Sequence, residues 1–88
     1  MSATKVYCVV FFDAAIEELG DLVKLWAKKS AMGQYIYAQK IDPNGNYFHM
    51  WVKDAAPDGQ TIEFELQVPH AFVKAVFYAA DVKKVGFV

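Results

Sequence analysis

The sequence predicts one α+β domain, a mostly antiparallel twisted sheet with two helices packed on one face and the other face available for dimerisation. Two observations carry this prediction. Runs rich in Val and aromatic residues are interspersed with segments whose apolar residues fall at helical spacing, and turn-forming residues separate them. The predicted order is β-α-β-β-β-α, with 82–88 as a last strand or a tail. A chain of 88 residues has room for one core, so 1–88 should form a single domain.

The first strand is predicted at 5–12 and the first helix at 14–32. The strand, KVYCVVFF, is apolar at both odd and even positions, which is typical of a central strand covered on both faces. Asp13 suits the N-cap of the helix and Gly33 its C-terminal end. Gly20, inside the predicted helix, is interpreted as a site of close packing. The apolar face of this helix consists of Ile16, Leu19, Val23 and Trp26.

Three strands of a meander are predicted at 34–41, 47–53 and 61–68. The DPNGN segment between the first two is typical of a turn, because Pro43 fixes φ and Gly45 can adopt a left-handed conformation. In the third strand apolar and polar residues alternate, which predicts one buried face and one exposed face.

The second helix is predicted at 70–80. Pro69 suits the first turn of a helix. The segment is apolar nearly all round, and Lys74 is its only formal charge. Its main apolar stripe consists of Phe72, Val73, Val76, Phe77 and Ala80.

Composition argues against several classes of function. The nine basic residues are all Lys and the formal net charge is −1, whereas nucleic-acid binding depends on excess positive charge and often on Arg. His49 and His70 lack the spacing of metal ligands, and the chain has no glycine-rich phosphate loop. We therefore expect no nucleic-acid partner, no metal and no cofactor.

The single cysteine, Cys8, lies in the apolar run VYCVVFF. This position indicates a buried and unreactive thiol, and one cysteine cannot form an internal disulfide. No apolar run approaches the roughly 20 residues of a membrane span, and no secretion signal is recognised. The expectation is a cytoplasmic protein without a membrane partner.

The turns predict a strand register and, with it, two faces of the sheet. Pairing of Asp42 with Asn46 places Tyr37 opposite Trp51. Side chains alternate along each strand, so one face is apolar and forms the core beneath the helices. The other face carries the predicted ligand or interface residues, which are Tyr35, Tyr37, Gln39, Tyr47, His49, Trp51, Glu63 and Glu65.

The second turn places one acid–base pair on this open face. Pairing of Lys53 with Thr61 puts His49 opposite Glu65. A carboxylate beside an imidazole fixes its tautomer, as a general base requires. His49 and Glu65 are therefore the catalytic candidates of an enzyme interpretation, although no nucleophile is predicted beside them.

Three functions compete for the open face. An apolar fraction of 56% is high for a chain of this size and predicts an exposed apolar patch. The first hypothesis is a non-enzymatic binding module that self-associates through this face, as a dimer or a larger even-numbered oligomer. The second is a binding or regulatory domain that holds a small apolar or aromatic ligand in a pocket between sheet faces. The third is a small enzyme that uses His49 and Glu65.

Overall fold

The computed structural model describes residues 5–55 and 58–80 of the chain. Two antiparallel sheets and two short helices make up most of this part. In chain order the elements are β1 (Val6–Phe11), α1 (Asp13–Leu19), α2 (Asp21–Lys24), β2 (Lys28–Ser30), β3 (Gly33–Ala38), β4 (Lys40–Asp42), β5 (Phe48–Ala55), β6 (Thr61–Val68), a 3-10 turn (His70–Phe72) and β7 (Val73–Ala79).

The first sheet has the strand order β2-β3-β1-β7, and the second has the order β4-β5-β6. Every pairing between these strands is antiparallel. β1 lies inside the first sheet, as its apolar character at both odd and even positions predicts. Its residues Cys8, Val9 and Val10 are fully buried.

Residues 33–42 connect the two sheets as one continuous run of chain. β3 pairs with β1, and β4 pairs with β5. Between β3 and β4, the N–H of Gln39 donates a hydrogen bond to the carbonyl oxygen of Trp51 at 2.8 Å. β3 also contacts β5. The two sheets therefore share one strand path and enclose a common core.

The main apolar core lies between the two sheets, and α1 and α2 pack against it. Its buried members are Val9, Phe11, Ala15, Ile16, Val23, Ile36, Ala38, Phe48, Met50, Val52 and Val68. A smaller buried cluster lies on the opposite face of the first sheet and consists of Cys8, Val10 and Tyr35. β1 supplies both clusters because its side chains alternate between the two faces.

The predicted fold, with two helices packed on one face of a sheet, is wrong, and the first reason lies at Gly20. The helix predicted at 14–32 ends at Leu19, because Gly20 has a φ of 86° and this left-handed conformation breaks a helix. α2 is only four residues long, and Lys28–Ser30 is a strand. A Cβ atom at Gly20 would meet nothing within 4 Å. The glycine therefore serves backbone conformation, not the predicted close packing.

The second helix, predicted at 70–80, is also wrong. Only His70–Phe72 form a 3-10 turn, and Val73–Ala79 is strand β7, paired with β1. Half-buried and exposed residues alternate along β7, and its valine and aromatic side chains favour a strand. Residues four apart share a face in a strand as well as in a helix, so the apolar spacing fits both. The last strand predicted at 82–88 lies outside the described residues.

The loop after β4 is longer than the predicted turn. Asp42 pairs with His49, not with Asn46. The carboxylate oxygen Oδ1 of Asp42 accepts a hydrogen bond from the N–H of Asn44 at 3.0 Å, so a side chain closes this turn. Gly45 does not adopt the predicted left-handed conformation.

A bulge at Gln39 and Lys40 keeps the apolar residues of β3 and β4 on the core side. Lys40 pairs with Trp51, a shift of three residues from the predicted register. In an uninterrupted strand an odd shift would turn every side chain to the other face. Here Ala38 and Ile41 both pack on the core, and the two residues between them are exposed. The extra residue of the bulge restores the alternation.

The register of β5 and β6 differs from the prediction by two residues. Ala55, not Lys53, lies opposite Thr61. An even shift leaves every side chain on its predicted face. The residue that faces Glu65 is therefore Trp51, on the face that the sequence predicts.

Candidate functional site

The candidate site is the outer face, which is the side of β4, β5 and β6 turned away from the core. Side chains alternate along each strand, so Met50 and Val52 enter the core while their neighbours on β5 point outward. The outer face consists of Lys40 and Asp42 of β4, His49, Trp51 and Lys53 of β5, and Glu63, Glu65 and Gln67 of β6.

Cross-strand pairing orders the outer face into two complete rows. The central row is Lys40, Trp51 and Glu65. The neighbouring row is Asp42, His49 and Gln67. Paired residues have Cβ atoms only about 4.5–5.5 Å apart on one side of a sheet, so each row is a line of adjacent side chains.

Trp51 is the centre of the outer face and is held by three neighbours. The His49 ring stacks on it, with centroids 3.9 Å apart and an interplanar angle of 23°. The Lys40 Nζ lies 4.8 Å from the ring centroid, within the range of a cation–π interaction. The indole Nε1–H donates a hydrogen bond to Oε1 of Glu65 at 2.5 Å. The ring is therefore oriented in advance, which lowers the entropy cost of using it in binding.

His49 is close to Glu65 but is not hydrogen-bonded to it. Its Nε2 lies 3.7 Å from Oε1, beyond hydrogen-bond range, and that oxygen already accepts the N–H of Trp51. Among the described residues, Nε2 is a buried side-chain nitrogen without a hydrogen-bond partner. The structure brings the predicted pair together without the hydrogen bond that would orient a general base. This geometry gives the enzyme hypothesis no support.

Tyr35 and Tyr37 belong to the first sheet and not to the outer face. Tyr35 is fully buried beside Cys8, and its hydroxyl oxygen lies 3.4 Å from that of Tyr37. Burial, followed by this hydrogen bond, raises the pKa of Tyr37 above its ordinary value of 10.0. The Nζ of Lys28 lies 5.2 Å from the centroid of the Tyr37 ring and 2.7 Å from Oδ2 of Asp54. Both tyrosines therefore have structural contacts that the sequence does not reveal.

Gln39 and Tyr47 are exposed, and each lines a shallow cleft, the first together with Trp51 and the second together with His49. The first cleft has a volume of about 250 Å³ and is lined by Gln39, Trp51, Val52, Glu63, Phe64 and Glu65. The second has a volume of about 290 Å³ and is lined by Asp42, Gly45, Asn46, Tyr47, His49 and Gln67. Both are smaller than the roughly 300–1,000 Å³ of most small-molecule pockets.

Two larger hollows lie away from the outer face. One, of about 600 Å³, has a polar lining that includes Asp13 and Lys74. The other, of about 560 Å³, has an apolar lining that includes Phe12 and Phe72. Neither is lined by a residue of the predicted site, so these two hollows and the outer face do not coincide.

The described residues offer little for metal or thiol chemistry. Among them, no group of three or more His, Cys, Asp or Glu side chains is placed to hold a metal ion. Cys8 is fully buried, and burial raises the pKa of its thiol. The sulfur is therefore protonated at neutral pH and poorly nucleophilic, as its apolar surroundings predict.

Sequence reasoning missed Lys40, Asp42 and Lys53 of the outer face, and Lys40 is the one that lies over the Trp51 ring. An uninterrupted strand would place Lys40 on the same side as Ala38, which is buried in the core. A charged residue at a core position is itself a signal of an irregular strand. The bulge turns Lys40 outward and onto Trp51.

Comparisons with known proteins leave the outer face to be interpreted from its own geometry. No protein-family model matches the chain, and searches of curated proteins and of solved structures found no significant match. In the part of the chain that the structure describes, no helix is long and apolar enough to cross a membrane.

Proposed function

We propose that this protein is a small binding module that self-associates through the outer face. Trp51 carries the proposal, because its partly buried ring is oriented by three neighbours at the centre of a polar face. Tryptophan is enriched among the few residues that dominate binding energies. An aromatic anchor with a polar rim is also the usual composition of an interface.

A second copy of the chain is the partner that the outer face fits. Lys40 lies on one side of Trp51 and Glu65 on the other, so the central row carries both signs of charge. A uniformly basic or acidic partner would meet a like charge on one side of Trp51, which costs binding energy. A copy of the same face can match both charges. The apolar fraction of 56% also favours a covered surface.

The proposal keeps the compartment expected from the sequence, which is the cytoplasm. Cys8 is the only cysteine of the chain and is a buried free thiol. Small extracellular domains commonly rely on disulfides, so a single free thiol suits a reducing compartment.

A small ligand on the outer face has less support than a second copy. The two clefts of the outer face are about 250 and 290 Å³ in volume, and the space between the two sheets is filled by core side chains. Ligand pockets usually bury most of the ligand surface. A ligand retained in native mass spectrometry of the purified protein would favour this alternative.

The substitution Trp51→Ala tests the proposal. We expect the wild-type protein, at tens of micromolar, to sediment with about twice the 9.9 kDa mass of the chain or a larger even multiple. Loss of a central interface tryptophan commonly costs about 2 kcal/mol or more, roughly a thirtyfold weaker association. Sedimentation velocity over a range of protein concentrations measures both quantities.

Tyr78→Ala is the matched control for this substitution. Tyr78 is an exposed aromatic residue of β7 in the first sheet, stacked on Tyr7 with centroids 4.3 Å apart. We expect its removal to leave association unchanged. A wild-type protein that sediments as a monomer contradicts the proposal. So does a Trp51→Ala protein that melts far below wild type yet associates as tightly, because Trp51 would then serve the fold.

A further inference from the structure

We infer that two copies pack outer face to outer face about a two-fold axis parallel to β5, so that Lys40 of each copy pairs with Glu65 of the partner subunit. This arrangement rests on the proposed function and specifies its geometry. Trp51 lies on the middle strand, so it meets Trp51 of the partner subunit near the axis. Stacked sheets lie about 10 Å apart, a gap that two opposed aromatic side chains can fill.

The order of the charges across the strands selects this axis. β4, with Lys40, lies on one side of β5, and β6, with Glu65, lies on the other. A two-fold axis along β5 exchanges the two sides and leaves each row at its own level. Each Lys40 therefore faces Glu65 of the partner subunit, and two equivalent ion pairs flank the central tryptophans.

The neighbouring row is compatible with the same axis. Asp42 lies on β4 and Gln67 on β6, so the carboxylate faces the amide of Gln67 of the partner subunit, which can donate a hydrogen bond. Lys53, near the end of β5, would face Lys53 of the partner subunit. Its Nζ lies 3.6 Å from Oε1 of Glu63 in the same subunit, and this carboxylate offsets the repulsion. Stacked sheets also cross at about 30°, so the contact is closest at the axis and opens toward the strand ends.

An axis perpendicular to the strands matches the charges less well. Centred on Trp51, it sets Lys40 against Lys40 of the partner subunit and Glu65 against Glu65 of the partner subunit. Shifted by one row, it pairs Lys40 with Asp42 of the partner subunit and sets Glu65 against Gln67 of the partner subunit, so Glu65 has no cation. The axis along β5 gives both charges of the central row an opposite charge.

Reversal of each charge tests the arrangement. Lys40→Glu sets two pairs of carboxylates together, and Glu65→Lys sets two pairs of ammonium groups together, so each variant alone should associate at least about tenfold more weakly than wild type. An equimolar mixture of the two variants should associate to within about threefold of wild type, because every reversed charge then meets its opposite. The double variant Lys40→Glu, Glu65→Lys should recover in the same way.

Glu18→Lys is the control for net charge. It makes the same change at an exposed position of α1, away from the outer face, so we expect less than about a threefold effect. Far-UV circular dichroism confirms that each variant is folded. A monomeric wild type would overturn both the proposed function and this arrangement. If Glu65→Lys associates as tightly as wild type, or if the mixture does not regain wild-type association, the axis along β5 is wrong. The proposed self-association would stand in either case.

Discussion

The hydroxyl groups of Tyr35 and Tyr37 lie together beside an apolar cluster. Tyr35 is fully buried with Cys8 and Val10, and the two hydroxyl oxygens are 3.4 Å apart. An ionised Tyr37 would lose hydration and would face the oxygen of its neighbour, so its pKa is raised. The two tyrosines that the sequence places on the open face thus have structural contacts in the first sheet.

The raised pKa of Tyr37 makes the fold sensitive to strong base. In the unfolded chain this tyrosine ionises near its ordinary value of 10.0, whereas in the folded chain it holds its proton to a higher pH. The stability linked to Tyr37 is therefore complete below about pH 10 and is lost as pH rises from there toward the folded-state pKa. As pH rises from about 9 to about 11, we expect the free energy of unfolding to fall less for Tyr37→Phe than for wild type. Urea unfolding at several pH values measures this, and parallel pH profiles would contradict it.

At the scale of elements, Gly20 divides what apolar spacing predicts as one helix. Its φ of 86° costs a residue with a Cβ atom about 1 kcal/mol or more. We expect Gly20→Ala to lower the free energy of unfolding by about 1 kcal/mol in urea titrations. Gly45→Ala is the control, because that glycine lacks a left-handed φ and a Cβ there would make an ordinary contact at 3.8 Å. An equal loss in both variants would show that φ is not the cause.

Strands with local signals could be predicted, and the strand β7 could not. β6 is recognisable because polar and apolar residues alternate from Thr61 to Val68. In β7, Val73 and Phe77 are compatible with a helix or a strand, and the decision is made by pairing with β1. That pairing joins distant parts of the chain, so no window of sequence around β7 contains it.

The outward face of β5 and β6 could be predicted, but the contacts of the site could not. Parity is a local property, and it correctly places Trp51, His49 and Glu65 on one face. The neighbour of each residue depends on the bulge at Lys40 and on the lengths of the loops after β4 and after β5. The charge of Lys40 signals an irregular strand, but the loop lengths have no regular signal. The sequence therefore predicts Glu65 opposite His49, whereas the structure places it opposite Trp51.

At the scale of the whole molecule, the outer face is small for an interface. β5 and β6 have eight residues each at a rise of about 3.3 Å, and β4 adds three residues along part of one side. With strands about 4.8 Å apart, the outer face therefore covers less than roughly 14 by 26 Å. Stable complexes bury about 800 Å² on each partner. We therefore expect self-association with a dissociation constant on the order of micromolar, in the range of transient assemblies.

Salt should weaken the self-association of the wild-type protein and strengthen that of the Glu65→Lys variant. Glu65 is 59% exposed, so its pair with Lys40 of the partner subunit is open to screening, and the Debye length falls from about 10 Å at 0.1 M to about 3 Å at 1 M. We expect NaCl to weaken wild-type association severalfold between about 0.05 and about 0.5 M, and to strengthen that of Glu65→Lys. Sedimentation velocity at several salt concentrations measures both. Equal responses in the two proteins would exclude an ion pair at Glu65.

Residues 33–42 hold ladder hydrogen bonds to β1 through β3 and to β5 through β4. In the described part of the chain this continuous run joins the two sheets, because local opening of either sheet pulls on the backbone of the other. A subunit docked on β4 would restrain the strand that carries Tyr35 and Tyr37. We therefore expect self-association through the outer face to slow amide hydrogen exchange in β3 as well as in β4.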